Sequence, residues 1–220
     1  MKRRALLAAA PGAALTAALA PARARVDSAR LPLPGSYVLS RIMQAPDGMV
    51  LDSDARARRL HALLRGRSSV LSFVYSYCRD PEGCPLAWAA LGAVHAALLQ
   101  DPALASVSQI VSLSFDPSHD TPEQMRLVGG ERISDARVRW QFLTTSSVAA
   151  LLPLLDGFGQ AVTVETDAHG RPTRTLNHML KLFLIDAALQ VREIYGVSTL
   201  SPAVLLNDLR TLRLERSARP

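Results

Sequence analysis

Phe73-Val74-Tyr75-Ser76-Tyr77-Cys78-Arg79-Asp80-Pro81-Glu82-Gly83-Cys84-Pro85 decides how the rest of the chain reads. The run from Val70 to Tyr77 is apolar, with β-branched and aromatic members, and predicts a buried strand that ends at the first thiol. Pro85 follows the second thiol. From there Leu86, Ala90, Ala93, Val94 and Ala97 recur at helical spacing to about Leu99, with proline at the first position, where its missing N–H costs nothing. Both thiols therefore belong to one strand-to-helix loop, and they are the only cysteines of the chain. Thiol pairs placed this way do redox or metal chemistry.

Upstream, residues 1–24 read as a cleaved signal peptide. Met1-Lys2-Arg3-Arg4 is a positive n-region, Ala5 to Ala20 is rich in Ala and Leu, and Ala22-Arg23-Ala24 fits a small-x-small cleavage site. Pro11-Gly12 interrupts the apolar stretch, so no permanent membrane anchor is expected. The reading is an exported, periplasmic protein. Four of the 25 Lys and Arg residues lie in that segment and none of the 19 Asp and Glu. The remainder thus carries a net charge of about +2. No basic block and no basic–aromatic interleaving appears, so no nucleic-acid partner is expected. Two cysteines in an exported chain usually form one structural disulfide. A bridge over so short a loop would constrain the unfolded chain little, and the roughly 196 remaining residues suffice for a full core.

The rest of the sequence places the loop in a fold. Residues 25–34 form an irregular lead, and residues 35–220 one domain. Gly35 to Ser40 and Gly48 to Asp52 read as short strands around a Pro46-Asp47-Gly48 turn, and Asp52 to Arg65 as a basic, Leu-bearing helix or helical turn ending at Gly66. Val107 to Phe115 is the next strand. Thr121 caps a short helix with Pro122 at its first position. Further strands are Val138 to Leu143, Ala161 to Glu165, Met179 to Ile185 and Leu189 to Tyr195. Ser146 to Leu155 is a helix, and Ser201-Pro202 opens the last one. Strands alternate with helices, and a hairpin then a helix close the chain. This order predicts a thioredoxin-like α/β three-layer sandwich with a central mixed β-sheet.

Three segments carry a family resemblance. The thiol loop, Ser114-Phe115-Asp116-Pro117-Ser118-His119-Asp120-Thr121-Pro122-Glu123, and Asn177-His178-Met179-Leu180 through Leu184-Ile185-Asp186 resemble, in order and spacing, the Sco/SenC family. That family comprises thioredoxin-fold copper proteins that help assemble the copper site of cytochrome oxidase. The resemblance implies that Cys78, Cys84 and His178 bind copper. It implies a cytochrome oxidase subunit or another periplasmic copper protein as partner. Two thiolates and an imidazole are donors suited to Cu(I), and with an added oxygen ligand to Cu(II). Cys84, at a helix N-terminus, is expected to be favoured as thiolate by the helix dipole. The chain departs from the family in two places. Its cysteines are separated by five residues where three are usual, and Asn177 stands where Asp is expected.

Other residues receive structural readings. His119 is a solvated loop histidine, and Asp116 and Pro117 shape their loop. Met179 is a core residue on the strand face opposite His178, and Trp88 and Trp140 are packing residues. His61, His95 and His169 take no role. Two other functions fit the cysteine pair: a metal-independent thiol-disulfide oxidoreductase, in which Cys78 and Cys84 are the catalytic redox pair, and a non-catalytic binding domain with one structural disulfide.

Overall fold

The structure, a computed structural model, describes residues 31–78 and 83–218. The expected signal segment lies outside the described residues, as do four of the five residues between the cysteines. No helix among the described residues is long and apolar enough to cross a membrane.

The strands that matter most are β4 (Ser68–Val74) and β5 (Ser108–Ser114), each buried along its whole length. They pair in parallel with Ser68 opposite Ser108 and Val74 opposite Ser114. β6 (Trp140–Leu143) continues the parallel run beyond β5. On the other side of β4 runs β9 (Leu182–Ile185), antiparallel, then β10 (Gln190–Tyr195) and the short edge strand β1 (Met43–Gln44). The sheet order is β1-β10-β9-β4-β5-β6. It is the mixed sheet that the sequence order predicts. With both faces covered, the polar residues of β4 and β5 are buried with the apolar ones: Ser69, Ser72, Gln109 and Ser112 are as inaccessible as Val70, Leu71, Ile110 and Val111.

Helix α2 (Cys84–Gln100) returns the chain from β4 to β5, with α3 (Pro102–Ala105) as a last turn before β5. The final helix α6 (Pro202–Ser217) packs on α2 and β4. Phe158, capping α5 (Val148–Gly157), meets Phe73 of β4 and Phe183 of β9 at ring-centroid distances of 5.5 and 4.8 Å. α4 (Pro122–Gly129) begins as expected, with the Thr121 hydroxyl accepting the Gln124 N–H.

Three segments differ from the sequence reading. Gly35 to Ser40 is not a strand. Its polar groups are taken by side chains of α6 and β10: the Gly35 N–H by Thr211, the Tyr37 hydroxyl by Asp208, and the Leu39 carbonyl by Arg192. Gly35 adopts φ +81°, and a Cβ there would stand 2.9 Å from Leu214 Cδ1. Of the helix or helical turn expected over Asp52 to Arg65, only a short turn forms. Ala57–Arg59 forms β3, antiparallel to β2 (Met49–Leu51), and only Leu60–Leu64 is helical (α1). The helical spacing is carried by Leu60 and Leu64 alone, the two residues of α1 that are fully buried.

The third difference touches the site. Pro172–His178 forms a strand, β8, that hairpins onto β7 (Val162–Thr166) as a separate two-stranded ribbon. His178 is the last residue of β8 rather than the first of the following strand. Met179 falls between β8 and β9 and is 73% exposed, so the expected core placement on a strand face does not hold.

Candidate functional site

Sheet register explains why three distant segments converge. β4 ends at Val74 beside Ser114, the end of β5, so the thiol loop and the Asp116 loop leave the sheet side by side. β9 runs the other way, with Leu182 opposite Ser72. The residues just before Leu182, His178 among them, therefore arrive at the same sheet end. Carboxyl ends of parallel strands are where open α/β sheets place their sites.

At the first corner, Asp120 fixes the loop. Its carboxylate is fully buried and accepts from the Ser76 N–H (3.1 Å), the Ser76 hydroxyl (2.5 Å) and the Ser114 hydroxyl (2.6 Å). One side chain thus ties the start of the thiol loop to the end of β5. Next to it, the Tyr77 hydroxyl donates to Asp116 at 2.6 Å, while the Asp116 side chain also accepts the Ser118 N–H. Asp116 shapes its loop, as the sequence suggests. His119 is exposed and meets the Tyr77 ring edge-on at 4.6 Å.

Both cysteines are free thiols. Cys84 is the first residue of α2, behind Gly83 as cap, and is 1% exposed; Cys78 is half-buried. The two side chains hydrogen bond to each other. Burial pushes the Cys84 thiol up from its ordinary range, and the neighbouring Cys78 raises it further. The helix N-terminus was expected to favour the thiolate. Desolvation outweighs it, because a dipole worth under about 2 kcal/mol opposes nearly complete loss of solvent.

Tyr75 joins the thiols to the histidine. Its hydroxyl hydrogen bonds the Cys78 sulfur, and burial first, then Cys78 and Cys84, raises its pKa. Its ring stands 5.8 Å from that of His178, which on its other side lies 4.5 Å from the Phe115 ring. His178 Nδ1 is 2.9 Å from the Leu176 carbonyl, so the proton belongs on Nδ1. Nε2 is then a free lone pair. That atom is buried and has no hydrogen-bond partner.

The structure thus gathers Cys78, Cys84 and His178 around Tyr75, with the thiols in mutual contact. Among the described residues no three His, Cys, Asp or Glu side chains stand close enough together to hold a metal ion. The donors present are two sulfurs and one imidazole nitrogen. Such a set can ligate a soft metal, and the thiol pair can form or break a disulfide. Tyr75, Asp120 and the Leu176 carbonyl were not singled out from sequence. For Asp120 a signal existed, a second carboxylate in the Asp116-to-Glu123 string with small hydroxyl residues at both strand ends.

Solved structures share this fold. ScoI of Bradyrhizobium japonicum with copper bound is 18% identical with TM-score 0.57, the match covering 79% of this chain and 99% of that one. ScoI of Arabidopsis thaliana with copper bound is 17% identical with TM-score 0.60, covering 78% and 99%. BsSco, described as a Sco-family cytochrome c oxidase assembly protein with a disulfide switch, is 16% identical with TM-score 0.54, covering 80% and 98%. Such identities establish the fold. No curated protein matches the chain. The SCO1/SenC family profile matches residues 50–213, a span that holds the thiol loop, the Asp116 loop and His178. The chain belongs to the SCO1/SenC family.

Proposed function

We propose that this protein binds copper through Cys78, Cys84 and His178 and acts in copper-site assembly of cytochrome oxidase, as metallochaperone or thiol reductant. The observation that carries this reading is His178 Nε2. A buried nitrogen with no partner, its ring oriented through Nδ1, is costly in a fold that has no use for the lone pair. A metal ligand is such a use. The copper-bound ScoI relatives and the family match support the choice of metal. Bound copper would supply a soft, redox-active cation. The chain's contribution is to hold the imidazole tautomer through Leu176, keep the Cys84 sulfur out of water, and anchor the loop through Asp120. Bringing all three donors to one ion requires the Cys78 and Cys84 sulfurs and His178 to draw closer together than they stand here. The basic, Ala-rich residues 1–24 support export, with a periplasmic oxidase subunit or another periplasmic copper protein as recipient.

A second reading has its own support, the mutual contact of two free thiols: a metal-independent thiol-disulfide oxidoreductase. Anaerobic competition with a chromophoric Cu(I) chelator separates the two. The copper reading expects His178→Ala to weaken Cu(I) binding by roughly tenfold or more, as loss of a metal-ligand contact should. It expects Cys84→Ser to abolish retention. Equal retention by wild type and Cys84→Ser would reject it, and disulfide turnover unaffected by His178→Ala would favour the oxidoreductase.

A further inference from the structure

Beside the thiol–histidine cluster lies a cleft of about 640 Å³, bounded by α5, the β7–β8 ribbon and the Tyr77–Asp116 contact. Its walls are aliphatic and partly open to water: Val148, Leu152 and Val164 are 48%, 50% and 52% exposed. Strand register aligns this lining with the site. Val164 pairs with Leu176 and Val162 with His178, so the four residues share one face of the ribbon and the apolar row ends at the histidine.

The charged lining residues, among those described, are Asp116 and Asp156. Asp116 already accepts the Tyr77 hydroxyl. Asp156 is exposed in the last turn of α5, a turn with no basic residue. The negative end of the helix dipole disfavours a carboxylate there, and a cation would relieve the repulsion. The nearby Lys181 donates instead to the Gly159 carbonyl at 2.6 Å. The ribbon also has only two strands among the described residues; on the β8 side the Leu176 backbone is taken by His178 and Tyr75, so the edge outside any ladder that remains for a partner is that of β7. Such edges accept an added strand.

We propose that this cleft seats an extended segment of a partner polypeptide, with aliphatic side chains in the groove and a lysine or arginine paired with Asp156. The ribbon edge favours a polypeptide over a compact small molecule, and the two carboxylates select a cationic segment. The proposal rests on the metal-handling reading only for its purpose, which is to hold the partner where His178 and the thiols can reach it.

The test is an NMR titration of the ¹⁵N-labelled full chain with two blocked nonapeptides of alternating valine and serine, one with a central arginine and one with a central glutamate. The arginine peptide should shift the amides of β7 and α5 and bind roughly tenfold tighter than the glutamate peptide. Asp156→Asn should cut that preference to about threefold or less, and Leu152→Ser should weaken both peptides. Equal affinity for the two peptides, or shifts confined to other surfaces, would overturn the proposal. So would concentration-dependent self-association through the cleft, which would assign the face to a second copy. Cu(I) retention is measured on the same samples. Peptide binding by a wild type that holds no copper supports the cleft and rejects only the metal reading.

Discussion

Asp120 shows how one residue sets the geometry of another it never touches. Three donors converge on its buried carboxylate, two of them from Ser76, which lies two positions before Cys78. Replacing one oxygen by an amide turns an acceptor into a donor facing donors, and hydrogen bonds to a carboxylate are the stronger kind. Asp120→Asn should therefore lower unfolding stability by about 2 kcal/mol, read as a fall in urea midpoint at constant slope. A change under about 0.5 kcal/mol would show that the loop is held elsewhere. Tyr75 makes the complementary point. In sequence it is one aromatic of an apolar run; in the fold its hydroxyl meets Cys78 and its ring meets His178. Nothing in the spacing of Val70 to Tyr77 indicates which of its polar handles faces the thiols.

At the level of elements, legibility followed burial. β4, β5, α2 and α6 each bury several large apolar residues, and each lies within a few residues of its expected position. β8 was hidden because Pro172-Thr-Arg-Thr-Leu-Asn-His178 is polar and belongs to a ribbon whose partner strand is mostly exposed. In β8 Leu176 is the one large apolar residue that packs against the core, too few to give a hydrophobic period to read. β3 was masked in the same way: Ala57-Arg58-Arg59 is exposed throughout and takes strand form by pairing with β2. The motifs did indicate that Cys78, Cys84 and His178 lie near one another at one sheet end. What the sequence could not show was the sign of the electrostatics at Cys84. Position at a helix N-terminus was visible, but the burial that outweighs it depends on packing from the whole sheet end.

Across the molecule, buried polar clasps close the fold from its two ends. Arg192 of β10 is 3% exposed and holds Asp186 and Glu215 together with the Leu39 carbonyl. Asp208 of α6 accepts both the Tyr37 hydroxyl (2.5 Å) and the Tyr195 hydroxyl (2.6 Å). Burial first, then the Asp208 carboxylate, raises both tyrosines above their ordinary value of 10.0. Groups whose folded-state pKa is raised contribute stability that is fully present below the unfolded value and is lost as pH climbs past it. Urea midpoints should therefore be level near about pH 8 and fall by about pH 11, with a shallower fall in Tyr195→Phe. The same slope in Tyr195→Phe as in wild type would remove this clasp as the cause.

The thiol loop, the Asp116 loop and His178 reach one sheet end because β9 runs antiparallel beside β4. The central claim is that this convergence makes a copper site. X-ray absorption on the protein loaded anaerobically with one equivalent of Cu(I) tests it most directly. The account predicts sulfur scattering from two thiolates near about 2.2–2.3 Å plus one imidazole, with the imidazole signal absent from His178→Ala. A spectrum with no imidazole in the wild type, or one unchanged by His178→Ala, would contradict it.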